Sequence, residues 1–185
     1  MRAITFVAVM LPVAGLVLLM AWALAQSGGN PGGLGINTDF GELSVKEDIA
    51  PPLSLTLLTG EVLDLADLEG KVVMVDFWSS WCPPCTEEAP VLAAIYPEYA
   101  DKGVEFLGIA VWDDERDVNR HVQKFDVKYA NGIDAWGKVA INYGVRGIPE
   151  KYFIDPNGQL VRKFLGPVTA NKLRDILDEL LSGEG

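Results

Sequence analysis

The sequence predicts an α/β or mixed α+β sandwich of sheet and helices, carried behind one transmembrane helix. Three observations predict it. From about Leu53 onward, strand-like and helix-like patterns alternate over short connections. The run at 72–78, Val-Val-Met-Val-Asp-Phe-Trp, is apolar on both faces, as in a central strand covered on both sides. Residues 3–25 contain no charge and a single hydroxyl, Thr5, which is enough chain to span a bilayer at about 20 residues per crossing. The whole chain has 185 residues, 49% of them apolar, with 15 Lys plus Arg against 26 Asp plus Glu and a net charge of −11. That length fits one compact domain. The acidic balance argues against a nucleic-acid ligand, which is met with clustered Lys and Arg.

The N-terminal 26 residues read as a signal anchor on length, although Ala23-Leu24-Ala25 leaves a cleaved signal peptide, and hence a secreted protein, as the alternative. Arg2 and the α-amino group keep the N-terminus cytoplasmic, so the rest of the chain crosses to the extracytoplasmic side. Residues 27–52 are expected to be tether and lead-in, beginning with a stretch at 26–35 that holds five glycines and one proline. The folded domain is placed at 53–182. It opens with a hairpin, 53–58 and 62–65, around Thr59-Gly60. The central strand at 72–78 leads into a helix from about Pro84 to Ala100, followed by a second buried strand at 104–111 and a polar helix from Asp113-Asp114 to Phe125. A short helix at 136–143 ends at Gly144. Strands at 151–154 and 159–165 flank the turn Asp155-Pro156-Asn157-Gly158, which has Pro and Asn at its centre. Thr169 caps a last amphipathic helix in which Leu173, Ile176, Leu177 and Leu180 recur at helical spacing.

The chemistry concentrates at Trp81-Cys82-Pro83-Pro84-Cys85, where the central strand turns into a helix. Cys82 at the N-cap lies over the positive end of the helix dipole, which favours thiolate. Pro83 and Pro84 have no N–H, so the Cys85 amide is the main local donor to the Cys82 sulfur. Cys85, one turn inside and less exposed, is suited to resolve a mixed disulfide formed at Cys82. Other uses of the pair are weaker. A disulfide closing about four residues removes little chain entropy, roughly 2 kcal/mol. Covalent haem attachment would need His after the second Cys, where Thr86 stands. With one His and two Cys in all, a Cys-rich zinc site cannot be filled, and His121 lies in the polar middle helix, where a solvated face accounts for it. The sequence implies neither metal nor cofactor.

Two carboxylates stand out. Asp76 interrupts the apolar central strand and reads as a buried proton carrier. Glu88 falls on a helix stripe with Cys85, Leu92, Ile95 and Tyr99, which puts it on the core face, whereas Glu87 should point to water. Burial should raise both pKa values, and two such groups close together titrate as a pair.

The segment 75–85, Val-Asp-Phe-Trp-Ser-Ser-Trp-Cys-Pro-Pro-Cys, resembles the active-site segment of the thioredoxin superfamily. Together with Glu87-Glu88-Ala89-Pro90 and Gly144-Val145-Arg146-Gly147-Ile148-Pro149, it is similar to the membrane-anchored TlpA, ResA and CcmG thiol-disulfide oxidoreductases involved in cytochrome c maturation. The resemblance covers about 53–181. It implies a thioredoxin-like fold, a central mixed sheet flanked by helices, with an extra N-terminal β-hairpin and a helical insertion at 113–132. It implies a redox-active Cys82–Cys85 disulfide, with Cys82 as nucleophile, Cys85 as resolving cysteine, and Glu88 and Asp76 in proton transfer. It also implies a cis peptide before Pro149 and an Ile148 backbone available to an extended substrate, with Trp81, Pro83 and Pro84 framing the substrate surface. From the residues alone, Pro149 could equally open a strand in trans, and Trp81 could serve packing. The implied partners are a protein disulfide substrate, apocytochrome c among the candidates, and a membrane thiol electron donor. A general reductase or oxidase of the cell envelope, and a copper- or haem-carrying binding module of the same fold, are the alternatives. Glu150 fits CcmG-like members, and Lys151 departs from them.

Overall fold

The structure, a computed structural model, describes residues 2–26, 35–37, 40–43, 45 and 48–183. It divides into two compact units, Met1–Gly35 and Ile36–Gly185. The first holds one helix, α1 (Arg2–Gln26), continuous through Pro12. Its side chains are described for residues 10–22, all of them exposed. Among the described residues no helix is long and apolar enough to cross a membrane. α1 thus covers the segment expected to cross at 1–26 but does not establish a crossing, and residues 27–34 of the expected tether and lead-in lie outside the described residues.

In chain order the strands are β1 (Gly35–Ile36), β2 (Gly41–Leu43), β3 (Asp48–Ile49), β4 (Ser54–Thr56), β5 (Val62–Asp64), β6 (Val72–Trp78), β7 (Val104–Val111), β8 (Ala130–Asp134), β9 (Gly147–Ile148), β10 (Glu150–Ile154) and β11 (Gln159–Leu165). The further helices are α2 (Pro83–Tyr99), α3 (Glu115–Lys124), α4 (Lys138–Asn142) and α5 (Ala170–Ser182). The main sheet runs β2-β11-β10-β6-β7-β8, with β3 also on β11. β6, β7 and β8 are parallel, whereas β10 and β11 are antiparallel to their neighbours. This is a thioredoxin-like α/β arrangement.

Strand alternation divides the core. Met74 on β6, Phe106 on β7 and Phe153 on β10 share one sheet face with Leu92 and Ile95 of α2 and Leu173, Ile176 and Leu177 of α5. On the opposite face Phe77 packs against Tyr143 and Tyr152 at ring-centroid distances of 5.4 and 5.5 Å. The helical stripe expected of α5 is buried as a whole, and the Thr169 hydroxyl accepts from the Lys172 N–H at 3.3 Å, capping the helix. α2 continues through both Pro90 and Pro97.

Several expectations need correction. The 113–132 insertion is not wholly helical: α3 occupies its first part, but Ala130–Asp134 is a parallel edge strand, β8. Ala-Asn-Gly-Ile-Asp has poor strand propensity, and pairing to β7 overrides it. Within the lead-in, β2 and β3 extend the main sheet by pairing with β11. His121 is not on a solvated face. It is buried, its ring 4.4 Å from that of Trp78 and 4.7 Å from that of Phe125, and burial lowers its pKa to about 4. The hairpin expected around Thr59-Gly60 is present as β4–β5.

Candidate active site at the start of the second helix

The central strand β6 delivers the chain to the site. Ser80, in the loop that follows, is clamped by Asp113: its N–H donates to Oδ2 at 2.5 Å and its hydroxyl to Oδ1 at 3.0 Å. Cys82 is then the N-cap of α2, with extended backbone, and Pro83 and Pro84 fill the first two helical positions. The Cys85 N–H donates to Cys82 Sγ at 3.3 Å, as the missing proline donors require. Cys82 and Cys85 form a disulfide with a Cα–Cα distance of 5.3 Å. In this oxidised state the expected difference in exposure is absent: Cys82 is 0% and Cys85 3% exposed. Trp81, in contrast, is 49% exposed, its indole N–H donating to the Trp112 carbonyl at 3.3 Å. Pro83 is exposed and Pro84 half-buried.

The Ile148–Pro149 peptide bond is cis. Glu150, fully buried, organises this loop: Oε1 accepts from the Arg146 and Gly147 N–H groups, each at 3.2 Å, and Oε2 accepts from the Tyr152 hydroxyl at 3.0 Å and pairs with Lys163 at 2.7 Å. The Ile148 carbonyl is not free. It accepts from the Asn37 N–H at 2.9 Å, while Asn37 Nδ2 donates to the Pro149 carbonyl at 2.8 Å. Asn37, within the expected tether and lead-in of 27–52, thus holds the backbone expected to face an extended substrate.

Both predicted carboxylates meet one cation in the interior. Glu88 is buried and Glu87 exposed, as the helical stripe requires. β10 pairs with β6 so that Lys151 stands directly opposite Asp76, and directly opposed residues share a sheet face. α2 lays Glu88 over the same face. Lys151 Nζ lies 3.2 Å from Asp76 Oδ1 and against Glu88 Oε1, and all three side chains are almost wholly buried. Among the described residues these two oxygens have no partner besides the Lys151 ammonium. Glu88 Oε2 accepts from the Val168 N–H at 2.9 Å. Burial raises the pKa of Asp76 against the opposing pull of Lys151, and burial raises that of Glu88 to about 7 for the same reason, with Asp76 adding to the rise. For Lys151, burial disfavours the charge, but the two carboxylates together outweigh it and its pKa is raised.

Sequence reading found Cys82, Cys85, Glu88, Asp76 and Pro149, and the structure brings the first four to one end of β6 and α2. It missed Lys151, Glu150, Asn37 and Asp113 as parts of the site. A signal for Lys151 was present: a cation inside an otherwise apolar strand, set beside a strand with an equally isolated Asp, points to a buried pair. The Asn37 contact had no such signal.

Residues 47–163 match the family model described as the AhpC/TSA family. Thiol-disulfide oxidoreductase ResA of Bacillus cereus is 35% identical over 131 residues, covering 71% of this chain and 76% of the relative. Among solved structures, a thiol:disulfide interchange protein of the thioredoxin family from Chlorobium tepidum TLS superposes with a TM-score of 0.68 at 26% identity, covering 75% of this chain and 99% of that one. A secreted Mycobacterium tuberculosis disulfide oxidoreductase homologous to E. coli DsbE superposes with a TM-score of 0.59 at 29% identity, covering 70% and 95%. The disulfide at the head of α2, the cis-proline loop and these relatives agree, and the chain belongs to the thioredoxin-fold AhpC/TSA family as a thiol-disulfide oxidoreductase of the ResA kind.

Proposed function

We propose that this enzyme works in the reducing direction on protein disulfides outside the cytoplasm, held to the membrane by its N-terminal segment, and that its task is cytochrome c maturation. The observation that carries the reading is the Cys82–Cys85 disulfide at the N-cap of α2, where the buried central strand leads into the helix. In the reduced protein Cys82, its thiolate favoured by the helix dipole and the Cys85 N–H, attacks a substrate sulfur. A mixed disulfide forms on Cys82, and Cys85 attacks Cys82 Sγ to release the substrate as a dithiol. Glu88 and Asp76 take the proton that Cys85 must lose, since both sit in a dry region where the neutral carboxyl is favoured. Trp81, Pro83, Pro84 and the Ile148 backbone present the substrate, which displaces Asn37 from the Ile148 carbonyl. The charge-free stretch at 3–25, with its described side chains exposed, supports the anchor.

The test is trapping in the native host with Cys85→Ser, which leaves mixed disulfides on Cys82. Recovery of apocytochrome c or its maturation factors is the expected result. Recovery of many unrelated exported proteins instead would replace this reading with a general envelope reductase.

A further inference from the structure

Lys151 is a lysine without access to water, and its ammonium has three neighbours: Asp76 Oδ1 at 3.2 Å, Glu88 Oε1, and the Gly166 carbonyl at 3.4 Å. The groups that face it come from every element packed there. β6 supplies Asp76, α2 supplies Glu88, and the segment before α5 supplies the Val168 N–H on Glu88, while Cys85 precedes Glu88 by one turn on the same buried stripe of α2. The chain leading into β8 supplies Tyr129, a buried phenol whose ionisation burial and both carboxylates oppose. Tyr129 therefore stays neutral, and the charges that remain are two carboxylates and one ammonium, a net charge of −1.

A net charge in a medium of low polarisability is costly, and one proton cancels this one. A second proton would leave a buried net positive charge, which the same argument disfavours. Without the ammonium, two facing carboxylates would carry −2 and would bind their first proton far into the alkaline range. We propose that Lys151 is the positioning residue that makes Asp76 and Glu88 a single acceptor for one proton, the proton of Cys85. The step balances. The Cys85 S–H proton passes to the carboxylate pair, Cys85 Sγ bonds to Cys82 Sγ, the bond from Cys82 Sγ to the substrate sulfur breaks, and the substrate leaves as thiolate with that electron pair. Cys82 and Cys85 are oxidised and the substrate disulfide is reduced. This inference rests on the proton-acceptor reading of Glu88 and Asp76 given above.

The test uses the full chain. A mixed disulfide with glutathione is formed on Cys82 at acid pH, and its resolution is followed after jumps to higher pH. The acid limb of that rate profile reports ionisation of the acceptor. Asp76→Asn leaves Glu88 facing Lys151 as a neutral pair and should move the limb to lower pH than wild type. Adding Lys151→Met leaves Glu88 alone and should move the limb up again by a unit or more, about tenfold in rate at a pH on the limb. The double variant exchanges a buried ion pair for neutral groups, an exchange that folded proteins tolerate. Carboxyl carbon NMR of reduced Lys151→Met should in addition show the first proton taken up at higher pH than in wild type.

If the limbs of Asp76→Asn with and without Lys151→Met coincide, Lys151 only fills space and the inference falls while the proton-acceptor reading stands. If Glu88→Gln and Asp76→Asn both leave the wild-type limb in place, that reading falls and the inference with it.

Discussion

Replacing Glu88 with glutamine removes a carboxylate whose pKa in the folded, oxidised protein is raised from 4.5 to about 7, chiefly by burial. A raised acid stabilises the fold fully below the unfolded value, because there both states hold the proton. As pH climbs past 4.5 the unfolded chain releases the proton first, and the contribution is gone once pH passes the folded value near 7. The difference between those two values corresponds to about 3 kcal/mol, with no discount for solvent screening at so buried a site. Wild type should therefore lose about 3 kcal/mol through this group between about pH 4.5 and 8. Glu88→Gln, neutral throughout and still able to accept from the Val168 N–H, should not. The pKa of Asp76 is raised in the same direction, so its contribution falls with pH as well. The assay is urea denaturation of both oxidised proteins across that range, compared as a difference curve. A flat difference curve would refute the placement of an uncompensated negative charge in the buried cluster of Asp76, Glu88 and Lys151.

Four further substitutions, at three positions, probe the surroundings of the site. A Cβ at Gly108 would sit 2.0 Å from Asn131 Oδ1, which accepts from the Trp78 indole and cannot withdraw, so Gly108→Ala should cost about 1–3 kcal/mol. An unchanged urea midpoint would contradict this. Glu150→Ala removes the oxygen that accepts from the Arg146 and Gly147 N–H groups and leaves Lys163 without its carboxylate, with an expected loss of about 3–5 kcal/mol. Glu150→Gln, which keeps one oxygen for those two N–H groups, should lose less, and equal losses in the two variants would show that oxygen to be irrelevant. Asn37→Pro removes the two hydrogen bonds that Asn37 donates to the Ile148 and Pro149 carbonyls, leaving the Gly166 N–H on the latter, and should speed attack on a peptide disulfide several-fold, by about 1 kcal/mol. A rate equal to or below wild type would mean that the contact does not compete with substrate.

What could be read from the sequence follows from how local each determinant is. The apolar run of β6, the proline-preceded amide at Cys85 and the Glu88 stripe are set by neighbours within one or two turns, and each stands where the residues place it. The cis bond at Pro149 came from resemblance, since nothing in the local residues distinguishes it from a trans proline. β8 was missed because Asn131 and Gly132 are poor strand formers held by β7. His121 was misjudged because its helix is polar, and only the tertiary stack on Trp78 reveals its burial. The meeting of Lys151 with Asp76 depends on strand register, and the meeting of both with Glu88 on the packing of α2, so no window of sequence contains the cluster.

The central claim, that electrons leave through Cys82 and are followed by closure of the Cys82–Cys85 disulfide, is tested most directly by mass measurement of the reduced chain mixed with an equimolar disulfide-bonded peptide. Wild type should return the peptide as dithiol, one per chain, and itself gain the disulfide. Cys85→Ser should stop as a one-to-one adduct on Cys82, and Cys82→Ser should form none. Adducts on Cys85 in the Cys82→Ser variant, or a wild-type chain that stays reduced beside an intact peptide disulfide, would contradict it.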